Sequence, residues 1–231
     1  MYMKKMLAVS IIAMVLVLSA CNNAVEEEGD AEMEEGASAE MSSPEKEEAN
    51  DTGILIEGTN YDEADIEYFT LIEELKIEMG RDEEEQQLSN EKMAERNNFW
   101  DEQIQLYENK NVQIQNLIEI VSMALLAEEK NYFIPEEKLQ NELETWNERV
   151  AGVEKAEALI EDTDEGMYKR KLQEYIRLSL LHDRVVEDLE EELQEENPEW
   201  EQQEMNYALG QMYDDLYMDQ INSIQIEINL E

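Results

Sequence analysis

Apolar residues recur at helical spacing from about residue 62 onward. The first such stretch has one apolar side chain every three or four positions, as on one face of an amphipathic helix: Tyr68, Ile72, Leu75 and Met79. Asn60 or Asp62 offers an N-cap for this helix, and Gly80 is expected to end it. Residues 81–90 are polar, and we expect them to interrupt the helical pattern.

The same periodicity continues through the rest of the chain. It predicts helices near residues 93–107, 112–128, 135–151 and 164–196, and from 198 to about 221, with a short helix or a turn at 156–160. The stretch 112–128 is the most apolar of these, so we expect it in the middle of the fold. Asp164 caps the longest helix, and Asn197 and Pro198 stop it. Pro135 and Pro198 suit the first position of the helices that follow them.

Two short β-type segments lie at opposite ends of this helical region. Residues 54–57 form an apolar run closed by Gly58, and residues 224–228 alternate between apolar and polar side chains. A single strand leaves its backbone groups unpaired, which is costly where they are buried. The sequence therefore predicts a mainly α fold with a small two-stranded sheet that joins the N-terminal and C-terminal strands.

The balance of charge narrows the classes of function. The 231 residues include 60 Asp and Glu against 17 Lys and Arg, a net charge of −43. This excess argues against nucleic-acid binding, which needs clustered cations. One cysteine and one histidine, His182, exclude intrachain disulfides and the common zinc motifs. We therefore expect no catalytic residues, no metal site, no cofactor and no enzymatic activity.

The first residues have the pattern of an export signal. Lys4 and Lys5 precede an apolar run over 6–18, and Leu-Ser-Ala then leads directly into Cys21. This ending resembles the lipobox of bacterial lipoproteins. The resemblance implies a signal peptide over 1–20, lipid attachment at Cys21, and anchoring on the extracytoplasmic face of the cell membrane. An ordinary cleaved signal followed by an incidental cysteine is the alternative.

Residues 21–52 differ from the rest of the chain in composition. They combine many glutamates with few large apolar side chains. Such a segment cannot offset the entropy lost on ordering, so we expect a disordered acidic linker. It either holds the folded body away from the lipid surface or keeps the protein soluble. The folded domain is expected over 53–231.

Several segments of this domain resemble the SurA/PrsA-type foldases. The strand Ile-Leu-Ile-Glu-Gly followed by 62–69 is similar to their opening, and 125–139 is similar to their helix–turn–helix segment. The helical residues 177–192 are similar as well. The resemblance covers about 53–231 and implies a SurA N-terminal-like helical domain. It also implies an extracytoplasmic chaperone that binds unfolded secreted polypeptides without ATP.

The chain departs from these foldases at one point. Many of them insert a parvulin prolyl-isomerase domain between the long helix and the final helix and strand. Here Asn197 and Pro198 lead straight into Trp200 and the last helix, and His182 alone cannot supply the histidine pair of a parvulin site. The resemblance therefore implies the chaperone part without the isomerase part.

Aromatic and methionine side chains are the candidates for contact with clients. They make adaptable apolar surfaces, and the candidates are Trp100, Tyr107, Tyr132, Phe133 and Trp146. The alternative is that most of them belong to the core, because they follow the helical periodicity. A second hypothesis for function is a structural or adaptor lipoprotein that binds one specific protein through a helical face.

Overall fold

The computed structural model describes residues 52–230, which form seven α-helices and three β-strands. The predicted signal peptide, Cys21 and nearly all of the predicted linker lie outside these described residues. In chain order the elements are β1 (Gly53–Ile56), β2 (Thr59–Tyr61), α1 (Glu63–Gln87), α2 (Asn90–Tyr107), α3 (Lys110–Glu129), α4 (Glu136–Val150), α5 (Glu154–Glu161), α6 (Glu165–Glu196), α7 (Gln202–Ser223) and β3 (Ile226–Asn229). The mainly helical class predicted from the sequence is confirmed.

The sheet joins the two ends of the described chain. Strand β1 lies in the middle and pairs antiparallel with β3, with Ile54 opposite Ile228 and Ile56 opposite Ile226. This is the pairing that the sequence predicts, but the sheet has three strands rather than two, because β2 covers the other edge of β1. Ile54 and Ile56 are almost completely buried.

Strand β2 follows β1 through a two-residue turn that the sequence pattern does not reveal. Glu57 and Gly58 both have positive φ, 47° and 80°, as in the tight hairpin turns that match the twist of the strands. The backbone N–H of Glu57 donates to the carbonyl of Gln225 at 3.0 Å, and its carboxylate accepts from the N–H of Gln225 at 2.6 Å. The turn therefore also fixes the start of β3.

Helix α1 begins as predicted but does not end at Gly80. The backbone N–H of Asp65 donates to the Asp62 carboxylate at 3.0 Å, and the backbone N–H of Asp62 donates to the Asp65 carboxylate. Asp62 is therefore the N-cap of a capping box. The helix continues through Gly80 to Gln87, and Gly80 lies where α1 packs against α2. A Cβ at this position would lie 3.0 Å from the indole of Trp100, so the glycine lets α2 approach α1 closely.

Helix α3 occupies the middle of the fold, as its apolar sequence predicts. It contacts α1, α2, α6, α7 and β1. The main core lies between the sheet and helices α1, α3, α4 and α6. A second apolar cluster joins α3 to α6 and α7 around Met123, Ala127 and Val185. A third joins α1 to α2 around Ile77 and Trp100.

Two helix starts differ from the sequence prediction. Pro135 lies just before α4 as its N-cap residue instead of opening the helix. Helix α7 begins at Gln202 rather than at Pro198, because residues 198 and 199 form a turn and Glu201 becomes the cap residue. Helix α6 has the predicted bounds, with Asp164 capping it through a 2.7 Å contact from the N–H of Met167. None of the helices within residues 52–230 is long and apolar enough to cross a membrane.

The close approach at Gly80 generates a stability prediction. Gly210, in the middle of α7, has no atom within 4 Å of a Cβ built on it. Gly210→Ala should therefore stabilise the fold by about 0.5–1 kcal/mol through the helix propensity of alanine. Gly80→Ala gains the same propensity but must displace Trp100. We therefore expect its free energy of unfolding to be lower than that of Gly210→Ala by at least about 1 kcal/mol. Urea unfolding followed by circular dichroism measures both, and equal stability of the two variants would contradict the packing role.

Candidate functional site

The two buried tryptophans among the candidate residues belong to the core. Trp100 is 5% exposed and Trp146 is 8% exposed. Their indole N–H groups are satisfied inside the protein, that of Trp100 by Glu84 at 2.9 Å and that of Trp146 by the Tyr168 hydroxyl at 3.0 Å. The expectation that these two residues contact clients is corrected here, because a buried indole presents no surface to a partner.

Tyr107 is half-buried at the end of α2 and faces α1. Its hydroxyl donates to Glu73 at 3.4 Å. Burial, followed by the charge of Glu73, raises the pKa of Tyr107 well above its ordinary value. Its phenol therefore stays protonated and contributes to the contact between the two helices.

Tyr132 and Phe133 lie in the turn between α3 and α4. Asn131 adopts the left-handed conformation with φ 65°. The N–H of Asn131 donates to Glu128 at 2.8 Å and that of Tyr132 donates to Ala127 at 2.9 Å. These two bonds form a Schellman motif, with Tyr132 packed in the same apolar cluster as Ala127. The turn is therefore ordered by its own backbone.

The two aromatic side chains of this turn differ: one anchors the turn to α6 and the other is exposed to solvent. The Tyr132 hydroxyl donates to the Asp188 carboxylate of α6, and the Arg184 guanidinium lies 5.3 Å from the centre of the Tyr132 ring. Phe133, the next residue, is 79% exposed. Tyr132 thus holds the turn on α6, while Phe133 is available to a partner.

Helices α6 and α7 form an antiparallel hairpin whose base is attached to α3 by a polar chain. The Tyr213 hydroxyl of α7 donates to Glu119 of α3 at 2.7 Å and lies 2.9 Å from the Nε2 of His182 on α6. Burial and the Glu119 charge raise the pKa of Tyr213, which keeps the hydroxyl available as a donor. One phenol therefore connects three helices.

Beyond this attachment, the hairpin continues past the end of α3. The α3–α6–α7 apolar cluster reaches Val185 on α6, and Leu189, Leu193 and Met205 are buried further along the hairpin. We call residues 189–209 the hairpin tip. Two aromatic side chains are exposed on it, Trp200 at 42% and Tyr207 at 69%.

The tip and the α3–α4 turn lie at the same end of the hairpin. Tyr213 is opposite His182, so in antiparallel helices Tyr207 lies near the level of Asp188, about 9 Å further along. Asp188 is the residue that holds Tyr132. The exposed aromatic side chains Phe133, Tyr207 and Trp200 therefore mark one end of the protein, and they define the candidate functional surface.

Sequence reasoning found Phe133 and missed the two aromatic residues of the tip. A signal was present: Trp200 lies between Glu199 and Glu201, where no helical periodicity places it on an apolar face. Tyr207 follows Met205 by two positions and cannot share its helix face. An aromatic residue out of phase with the apolar face of its helix was therefore the better indicator of exposure.

A partly buried cluster of charged and phenolic groups between α1 and α6 has no space for a substrate. The Lys76 ammonium of α1 donates to the Tyr175 hydroxyl of α6 at 2.9 Å and to Glu73 at 3.1 Å, and Tyr175 donates to Glu73. The adjacent cavity measures about 10 Å³, no more than one water requires. The cluster joins α1 to α6. Within residues 52–230, no group of three acidic, histidine or cysteine side chains is arranged to hold a metal ion.

Comparisons of this chain with protein-family models, with curated proteins and with solved structures give no match. The candidate surface is therefore defined by its geometry: exposed aromatic side chains at one end of an α6–α7 hairpin whose base is fixed to α3.

The attachment of the hairpin generates a prediction for Tyr213. Tyr213→Phe removes the donor to Glu119 and the contact with His182, and leaves a half-buried carboxylate without this partner. We expect a loss of about 2 kcal/mol in the free energy of unfolding. Tyr207→Phe, on the same helix but exposed, should change it by less than about 0.5 kcal/mol. Urea unfolding of both variants provides the measurement, and a loss for Tyr213→Phe no larger than that for Tyr207→Phe would refute the anchoring role.

Proposed function

We propose that the protein is a lipid-anchored, extracytoplasmic chaperone that holds unfolded secreted polypeptides without ATP. The observation that carries this proposal is the group of exposed aromatic side chains Phe133, Trp200 and Tyr207 at one end of the molecule. Exposed aromatic groups on an otherwise charged surface are a common basis for binding apolar segments of other chains. Shallow contacts of this kind release their clients by dissociation alone.

The arrangement of the chain supports a relationship with the SurA N-terminal domain. Strand β1, the helices and the returning strand β3 follow the order expected from the resemblance of 53–231 to SurA/PrsA-type foldases. Helix α6 connects to α7 through residues 197–201, with no parvulin insertion between them. We therefore propose the chaperone activity without prolyl isomerisation.

The N-terminal sequence supplies the proposed location. The basic start, the apolar run and the Leu-Ser-Ala-Cys motif fit lipidation at Cys21. The sequence predicts an extended linker between Cys21 and the folded domain, because its acidic side chains carry like charges that repel one another. The proposed anchor thus keeps the chaperone at the membrane, and the linker gives the folded domain reach toward emerging clients.

Suppression of aggregation tests the activity. The full chain in mild detergent should suppress light scattering by two unrelated unfolding clients at a several-fold molar excess. Trp200→Ser combined with Tyr207→Ser should raise the concentration needed for half-suppression about tenfold, because the two side chains lose at least about 1.4 kcal/mol of apolar contact. A double variant with Leu106→Ser and Met218→Ser provides the control, since Leu106 is 40% and Met218 is 42% exposed and both lie outside the tip.

Two results would overturn the proposal. Wild-type protein that leaves the scattering of both clients unchanged is not a holdase. A tip variant that performs as well as wild-type excludes the candidate surface. Crosslinking in membranes separates the alternative class: a single saturable partner, combined with indifference to unfolded clients, would identify an adaptor lipoprotein.

A further inference from the structure

The hairpin tip carries an uncompensated negative charge. Arg184 is the last cation in the sequence before Glu231, and it pairs with Asp188 at 2.7 Å and with Glu187 at 3.1 Å. Within residues 52–230, no carboxylate beyond Asp188 takes part in an ion pair. Glu192, Glu195, Glu196 and Glu199 are exposed to solvent on or next to the last turns of α6.

The position of these carboxylates lowers the stability of the helix on which they lie. The C-terminal end of a helix is the negative end of its dipole and favours lysine or arginine. The last turn of α6 contains no basic residue, and Glu192 and Glu196, four positions apart on the same helix, repel one another. Local stability of α6 therefore does not explain why acidic residues occupy this end.

Aromatic and acidic groups alternate on the same exposed segment. Trp200 is flanked directly by Glu199 and Glu201, and Tyr207 follows Glu204 on the first turns of α7. A partner that covers the aromatic rings must also approach these carboxylates. The matching chemistry is a chain that combines apolar side chains with lysine or arginine.

We propose that the hairpin tip selects cationic, apolar segments of unfolded polypeptides. This inference rests on the proposed chaperone function and specifies its client class. Long-range attraction brings the basic segment to the tip, and the apolar side chains then pack on Trp200 and Tyr207. A second copy of this chain is disfavoured as the occupant because two tips of the same charge repel each other, and anionic lipid headgroups are disfavoured for the same reason.

Three labelled unfolded peptides of equal length and equal leucine and phenylalanine content test the selection. One carries four lysines, one carries glutamines at the same positions, and one carries glutamates. Fluorescence anisotropy with the full chain should give the lysine peptide at least a tenfold higher affinity than the glutamine peptide in 50 mM NaCl, with most of the difference lost in 500 mM NaCl. The glutamate peptide should bind weakest.

A matched pair of variants assigns the effect to the tip. Glu192→Gln, Glu195→Gln, Glu196→Gln and Glu199→Gln together remove four charges without loss of an ion pair in the described structure. The control removes four equally exposed charges on α4: Glu137→Gln, Glu142→Gln, Glu144→Gln and Glu148→Gln. The tip variant should lose the preference for lysine, and the control should keep it.

The outcomes separate this inference from the proposed function. Equal binding of the three peptides, or equal losses in the tip and control variants, overturns charge selection at the tip while leaving general holdase activity intact. Binding of no peptide, together with unchanged client aggregation, overturns both. If the control variant keeps the preference for lysine and the tip variant loses it, selection by the charge of the tip is supported.

Discussion

The fold depends on the pairing of β1 with β3. Ile54 and Ile56 place β1 in the core, and a buried strand must have its backbone groups paired on both edges. Strand β2 covers one edge through a tight turn, but the other edge is covered by residues that follow the last helix. Helix α7 is consequently held at both ends, by β3 after it and by the turn from α6 before it.

The α6–α7 hairpin combines two physical environments in one element. At its base, the Tyr213 hydroxyl contacts Glu119 and His182, which connects α6 and α7 to α3. At its tip, the surrounding helices have ended and aromatic and acidic side chains face solvent. In the chaperone function that we propose, a base fixed by these contacts would favour binding of unfolded chains at the tip, because ordering a flexible surface on binding would cost entropy.

The sequence predicted the helical class and the long helix α6 with its Asp164 cap, because periodicity and capping are local properties. It predicted the pairing of β1 with β3 because each short strand alone would leave its backbone groups unpaired. It did not predict β2, since a strand of three residues is too short to show an alternating pattern, although its last residue, Tyr61, is buried in the core. The predicted end of α1 at Gly80 was wrong. In the sequence, a glycine that makes room for Trp100 of another helix looks the same as a glycine that ends a helix. Phe133 was found on the surface, but Trp100 and Trp146 proved to be core residues, because helical spacing alone does not tell which face is covered.

The closing of the sheet has a consequence for biosynthesis. Among the described elements, the ribosome makes β1 before the seven helices and β3 after them. One edge of β1 therefore stays unpaired while the rest of the domain is synthesised. Contacts between residues so distant in sequence form slowly, and an unpaired apolar strand is prone to associate with other chains. The nascent chain therefore exposes an aggregation-prone strand until β3, which follows α7, has been synthesised.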